Sequence, residues 1–94
     1  MEHPKTVRVV IEGRVQGVWY RGWTVQEASA RHLAGWVRNR ADGGVEAVFH
    51  GSAPVVDAML DACRIGPPSA QVSRVTVEPT TEVVGHGFHQ RPTS

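Results

Sequence analysis

The segment GWVRNRADGGVEAVFHG, residues 35–51, constrains the fold more than any other part of this chain. Two stretches rich in β-branched and aromatic residues, Trp36–Arg40 and Val45–His50, flank the tetrapeptide ADGG at residues 41–44. Asp-Gly between two such stretches is a strong β-hairpin signal, because glycine accepts the positive φ angles of tight hairpin turns. The segment therefore predicts two antiparallel strands in the middle of the chain.

The elements before the hairpin follow from the periodicity of the apolar residues. Residues 6–13 alternate between apolar and polar positions, which predicts a strand with one face in contact with water. A narrow stripe of small residues at helical spacing predicts a helix over residues 22–34. The sequence Thr24-Val25-Gln26-Glu27 also fits a capping box, which would start this helix three residues later.

A second helix is predicted directly after the hairpin. Ser52 can cap it, and Pro54 is tolerated in its first turn. Apolar residues then recur at helical spacing as far as Cys63, until the sequence GPP at residues 66–68 ends the helix. Because Cys63 falls on the apolar stripe, we interpret it as a small core residue and not as a nucleophile.

The remaining chain completes a familiar element order. Residues 72–78 alternate as a half-exposed strand, residues 83–89 form a weak last strand interrupted by two glycines, and residues 91–94 are expected to fray. The order is β-α-β-β-α-β with an additional C-terminal strand. This order predicts a ferredoxin-like α+β sandwich, in which two helices cover one face of an antiparallel sheet.

The composition bounds the function without naming it. We expect the 94 residues to form one domain, 1–94, and to act as a monomer. Ten basic and nine acidic residues give a net charge of +1, too small a field to indicate a nucleic-acid partner. The single cysteine rules out an internal disulfide. With no apolar run of membrane-spanning length and no signal peptide, we predict a cytoplasmic protein that does not bind membranes.

The loop GRVQGVWYR, residues 13–21, indicates where chemistry takes place. Two glycines lie four residues apart, and the loop ends on Arg21 at the start of the first predicted helix. Glycines allow successive backbone N–H groups to turn inward around an anion, and arginine binds two oxygens of one anion at once. A glycine-bearing loop is, however, most often a simple turn, and a single arginine is most often a surface charge. The loop by itself leaves both interpretations open.

Three segments together resemble the acylphosphatase family: this loop, the hairpin segment, and the connection GPPSAQV at residues 66–72. They occur in the family's order over roughly residues 7–90. The resemblance implies a hydrolase that converts a small acyl phosphate into a carboxylate and inorganic phosphate without a metal or other cofactor. A non-catalytic, partner-binding or regulatory module of the same family remains the alternative. The implied roles are phosphoryl binding for Arg21, positioning of the attacking water for Asn39, and a phosphate-binding cradle formed by Gln16, Gly17, Val18, Trp19 and Tyr20.

The chemistry of an acyl phosphate is consistent with so small a set of residues. The leaving group is a carboxylate whose acid has a pKa of about 4, so it departs without a general acid. A neutral amide such as that of Asn39 can hold water through both its donor and its acceptor, and it does not repel a phosphate dianion.

Departures from the family pattern occur in three places. The C-terminal segment GFHQRPTS, residues 87–94, matches the family's ending only loosely. Arg31 and His32 occupy positions where relatives often carry leucine and glycine, the latter where the first helix ends in a left-handed residue. Histidine tolerates this conformation, so we expect a cost in stability more than in activity. Trp19 is bulky for its position in the loop and is expected to narrow the pocket.

Two further candidate functions are set aside. RNA-recognition motifs stack bases on aromatic side chains of their two central strands, and here those strands offer only Phe49. His86 and His89 have the spacing of a metal-binding pair, but no third ligand lies near them in the sequence. We interpret them as solvated histidines at the end of a strand.

Overall fold

The computed structural model describes residues 3–94 as two helices packed on a five-stranded sheet. In chain order the elements are β1 (Pro4–Arg14), α1 (Tyr20–Ala30), β2 (Ala34–Asn39), β3 (Val45–Ser52), α2 (Ala53–Ile65), β4 (Gln71–Pro79) and β5 (Phe88–Gln90). The strand order across the sheet is β4-β1-β3-β2-β5. The predicted ferredoxin-like α+β fold is confirmed. Neither helix in this part of the chain has the length and apolarity needed to cross a membrane.

The core lies between the sheet and the two helices. Val7, Val9 and Ile11 of β1 point into it, and Met59 and Cys63 of α2 meet them from the helix layer. The intervening residues of β1 lie on the opposite face of the sheet, as the alternation predicts. Cys63 is fully buried, so its interpretation as a core residue holds.

The prediction of an entirely antiparallel sheet is wrong at one edge. Strand β5 pairs in parallel with β2, with Phe88 opposite Gly35. The connection formed by residues 80–87 leads from β4 at one edge of the sheet to the free edge of β2 at the other, where the chain arrives running in the direction of β2. The last strand was predicted over residues 83–89, but β5 spans only Phe88–Gln90. Val83, at the predicted start, is 93% exposed.

The prediction that residues 91–94 fray is also wrong. The backbone N–H of Arg91 donates to the Val37 carbonyl at 2.8 Å, and that of Ser94 donates to the Asn39 carbonyl at 3.2 Å. The Ala41 N–H in turn donates to the Ser94 carbonyl at 2.8 Å. The exposed edge of β2 offers backbone groups that need partners, and this segment supplies them.

Helix α1 begins earlier than the sequence pattern indicated. The capping box at Thr24 does not form, since the Thr24 hydroxyl donates to the Tyr20 carbonyl at 2.8 Å inside the helix. Tyr20 opens the helix instead, because its ring is buried and its hydroxyl donates to the Cys63 carbonyl at 2.6 Å. This anchor fixes the first turn of α1 to α2.

The predicted end of the first helix at residue 34 is wrong, since α1 ends at Ala30 and Ala34 already begins β2. His32 adopts φ 58°, the left-handed conformation expected where α1 ends, and the Leu33 N–H donates to the Ala28 carbonyl at 2.9 Å. Ser52 precedes α2 as predicted. Its hydroxyl makes no capping bond, and it finds no hydrogen-bond partner among the described residues.

A buried carboxylate organises the face of the sheet that the helices leave open. Glu46 is only 3% exposed and accepts hydrogen bonds from the guanidinium groups of Arg8 and Arg38. Burial would raise the pKa of Glu46, but hydrogen bonds from Arg38 and Arg8 outweigh that effect, so the pKa lies below its usual value. The folded protein therefore stabilises the ionised form of Glu46 more than the unfolded chain does.

Replacing this carboxylate should destabilise the fold in a pH-dependent manner. Glu46→Gln is expected to lower the free energy of unfolding by about 2 kcal/mol near pH 7, less than for a fully buried pair, because Arg8 and Arg38 are about one-third exposed. A lowered pKa gives stability that is present above the unfolded value of about 4.3 and is lost as the pH falls through the folded value. Urea unfolding at pH 7 and pH 3 should show a large difference between variant and wild type only at pH 7. An equal difference at both pH values would contradict this role.

Candidate active site

A small cleft opens between the loop that follows β1 and the end of β2. Its volume is ≈ 140 Å³. It brings together five residues of the sequence prediction: Gly17, Trp19, Tyr20, Arg21 and Asn39. These residues are distant in sequence, and the fold joins them because α1 crosses back over the sheet to lead into β2.

The loop beside the cleft contains backbone donors that are not used within the protein. Among residues 3–94, the N–H groups of residues 16–22 find no protein acceptor. Gly17 allows part of this arrangement, since its φ of 75° would strain any residue with a side chain. The N–H groups of residues 20–22 also open helix α1, where the helix dipole adds partial positive charge. The loop therefore has the donors and the electrostatic potential of an anion-binding site.

Arg21 supplies a full positive charge beside these donors. It is partly buried in the first turn of α1 and lines the cleft. It forms no salt bridge with any carboxylate among residues 3–94, whereas Arg8, Arg38 and Arg40 are each paired with an acid. The guanidinium of Arg21 is thus available to an anion from solution.

Asn39 reaches the cleft from the last position of β2. It is partly buried and lies opposite Val45 in the β2–β3 ladder. Its carbonyl accepts the Ser94 N–H described above, so its backbone is held by β3 on one side and by the C-terminal segment on the other. A neutral amide on a well-fixed backbone can orient a small polar molecule in the cleft.

Gln16 connects the two sides of the cleft instead of lining it. Its side-chain amide donates to the carbonyls of Arg40 and Gly44, both at 2.8 Å. These bonds tie the loop to the hairpin that directly follows Asn39. Of the groups of Gln16, its backbone N–H is the one left to face an anion.

Two other residues of the predicted cradle direct their side chains into the core. Val18 packs against the core cluster, and the Tyr20 phenol is anchored on Cys63 as described above. Burial is the main cause that raises the pKa of the Tyr20 phenol, and burial likewise raises the pKa of the Cys63 thiol to about 12. Neither group is suited to proton transfer near neutral pH, so the contribution of Tyr20 to the cleft is its backbone.

The structure adds three cleft residues that the sequence analysis missed: Val15, Gly22 and Gln90. Gln90 lies opposite Val37, two residues before Asn39, because β5 is parallel to β2. No local signal marks this neighbour, since it depends on the unexpected direction of β5. Val15 was recognisable only as an apolar residue inside a polar loop, and it is nearly fully buried.

The two histidines set aside above do not line the cleft. The His89 Nε2 donates to the His86 carbonyl at 2.8 Å. Within residues 3–94, no three side chains of His, Cys, Asp or Glu come close enough together to hold a metal ion.

The fold and the cleft together define a small α+β protein whose loop after β1 has backbone N–H groups without protein acceptors among residues 3–94. A family model described as acylphosphatase matches residues 7–90. An acylphosphatase of Rhodospirillum rubrum is 60% identical over 88 residues, which cover 94% of this chain and 97% of that protein. The chain belongs to the acylphosphatase family.

Solved structures agree with this assignment. The structure of an acylphosphatase from Coxiella burnetii superposes with a TM-score of 0.90 at 32% identity, covering 94% of this chain and 93% of the other. The crystal structure of the acylphosphatase from Bacillus subtilis gives a TM-score of 0.87 at 34% identity, covering 95% and 99%.

Proposed function

We propose that this protein hydrolyses small acyl phosphates, with Arg21 binding the phosphoryl group and Asn39 positioning the attacking water. The observation that carries the proposal is the meeting of both side chains in one cleft with the unpaired amides of the loop. In phosphoryl transfer the charge spreads over the equatorial oxygens, so positioning and electrostatic stabilisation are the main requirements. Backbone donors and one guanidinium meet them.

In the proposed reaction, the water oxygen forms a bond to phosphorus while the bond from phosphorus to the acyl oxygen breaks. The electron pair of the broken bond leaves on the carboxylate. One water proton stays on the new phosphate oxygen and the other goes to a second phosphate oxygen, giving a carboxylate and dihydrogen phosphate from the acyl phosphate dianion and water. No acid among residues 3–94 lines the cleft to protonate the leaving group, and a carboxylate does not require one.

The same features suit a monomeric cytoplasmic enzyme. Arg21 and Asn39, the two side chains that the proposal needs, lie in one cleft of a single chain, which suits a monomer. The single cysteine is a buried free thiol, which suits a reducing compartment. The alternative, a non-catalytic module that binds a partner, would not need Arg21 free of protein acids in a cleft beside backbone amides without protein acceptors.

Activity on matched substrates tests the proposal. In the presence of EDTA, the protein should hydrolyse acetyl phosphate but not a simple alkyl phosphate, whose alkoxide leaving group needs a proton that the cleft does not supply. Phosphate release is measured for both substrates, with and without added Mg²⁺. Loss of acetyl phosphate hydrolysis in EDTA, with recovery in Mg²⁺, would contradict the metal-independent mechanism. Absence of hydrolysis in all conditions would favour the non-catalytic module.

A further inference from the structure

Trp19 occupies a position that three local preferences disfavour. Its φ of 67° is left-handed, which is rare for a large side chain. It is the N-cap of α1, where Ser, Thr, Asp or Asn is preferred, and its side chain makes no capping bond. Its indole is 62% exposed. Conflicts of this kind concentrate at functional sites, where the local cost is offset by a role in binding.

The first turn of α1 is shaped to receive this indole. A Cβ atom added at Gly22 would lie 2.1 Å from the indole Nε1, so the ring rests directly on the glycine. Gly22 has an ordinary helical backbone in a helix where alanine would be more stable by about 1 kcal/mol. Glycine at this position therefore serves the placement of the ring and not the backbone conformation.

The placement puts the indole at the rim of the cleft. Its exposed residues are Gly17, Trp19 and Gln90. Of the two that carry side chains, Trp19 belongs to the loop and Gln90 belongs to the strand beside β2. In an in-line displacement, the leaving group departs on the side opposite the attacking water. Since Asn39 at the end of β2 places the water, the acyl group leaves away from β2, towards the loop.

We infer that Trp19 forms an acyl-group subsite that favours aromatic acyl phosphates over small aliphatic ones. The inference rests on the proposed function. A cleft of ≈ 140 Å³ that holds the phosphoryl group has little room for a ring, so an aromatic acyl group lies across the rim, against the exposed indole. Offset or edge-to-face contact between the two rings stabilises bound benzoyl phosphate, and acetyl phosphate makes no equivalent contact.

The test compares kcat/KM for benzoyl phosphate and acetyl phosphate in five proteins: wild type, Trp19→Asn, Trp19→Phe, Gly22→Ala and Trp36→Phe. Asparagine removes the ring but tolerates the left-handed backbone, so the loop keeps its shape. Gly22→Ala keeps Trp19 but displaces its ring. Trp36→Phe is the matched control, because Trp36 lies on the open face of the sheet, where its Nε1 donates to Glu82 at 2.6 Å. Circular dichroism checks that each variant is folded.

Trp19→Asn and Gly22→Ala should each lower the ratio of benzoyl to acetyl kcat/KM by roughly 3- to 10-fold, the scale of one aromatic contact at a partly exposed site. Trp19→Phe should retain most of the wild-type ratio, and Trp36→Phe should leave the wild-type ratio unchanged. Because every protein is assayed on the same two substrates, their intrinsic reactivities cancel. An unchanged ratio in both Trp19→Asn and Gly22→Ala, with acetyl phosphate still hydrolysed, would overturn the subsite and leave the proposed function standing. A wild-type protein inactive on both substrates would overturn the two together.

Discussion

Asn39→Ala is expected to lower kcat on an acyl phosphate by about 100-fold, the effect of losing one well-placed polar group in a transition state. Inhibition by inorganic phosphate should stay within a few-fold of wild type. The reason is that Asn39 holds the attacking water in our proposal, whereas the loop amides and Arg21 hold the phosphoryl group. A residue that acts only on the transition state affects kcat far more than ground-state binding.

The measurement is kcat together with the inhibition constant of inorganic phosphate, and circular dichroism verifies the fold. Gln26→Ala serves as the control, because it removes an exposed amide from α1 without touching the cleft. Near-normal turnover in folded Asn39→Ala would mean that another group positions the water. A parallel loss of turnover and phosphate affinity would instead move Asn39 into the phosphate-binding set.

A charge at the same position makes a stricter test. Asn39→Asp is nearly isosteric, but an ionised carboxylate would face the incoming phosphate dianion. We expect both binding and turnover to fall, and the deficit relative to wild type to grow as the pH rises through the pKa of the carboxyl, about 4 for an unperturbed aspartate. A pH profile parallel to that of wild type would show that no charge develops beside the phosphoryl group.

Much of this fold could be predicted because its signals are local. The alternation in β1 and the Asp-Gly turn between β2 and β3 each depend on a few neighbouring residues. The left-handed end of α1 at His32 was expected from the family resemblance, which marks that position, and the structure confirms it. In each case the local preference and the tertiary packing agree, so the pattern and the structure coincide.

The errors lie where distant parts of the chain decide the outcome. Thr24 carries a capping-box sequence, yet α1 begins at Tyr20 because the phenol is held by the Cys63 carbonyl on the other helix. The direction of β5 depends on where residues 80–87 bring the chain to the edge of β2. The local preferences of the residues involved encode neither the contact between Tyr20 and Cys63 nor the pairing of β5 with β2.

The candidate site shows the same division. The anion-binding character of the loop could be predicted from its glycines and from Arg21. Asn39 by itself looks like an ordinary residue before a hairpin turn, and it became a candidate only through the family resemblance. Gln90 was missed because its position depends on the parallel pairing of β5 with β2. The side-chain role of Gln16, which ties the loop to the hairpin, depends equally on tertiary structure.

Arg21→Lys should reduce kcat/KM by about 10- to 100-fold and weaken inhibition by inorganic phosphate by a similar factor. Lysine keeps the positive charge but loses the planar fork that binds two phosphoryl oxygens at once. The loss of one charged hydrogen bond is typically about 1.5–3 kcal/mol, which corresponds to this range. Because the guanidinium contacts the phosphoryl group in both the ground state and the transition state, binding and turnover should fall together, unlike in Asn39→Ala.

Arg14→Lys is the matched control for this change. Arg14 lies in the same loop sequence and undergoes the same chemical substitution, but it is exposed and lies outside the cleft. Initial rates on acetyl phosphate at several phosphate concentrations give both parameters for each variant. If Arg21→Lys and Arg14→Lys behave alike, the arginine requirement is one of net charge and not of geometry. If phosphate inhibition is unchanged in Arg21→Lys while turnover falls, Arg21 contacts the substrate only in the transition state, and the amides of the loop hold the phosphoryl group without it.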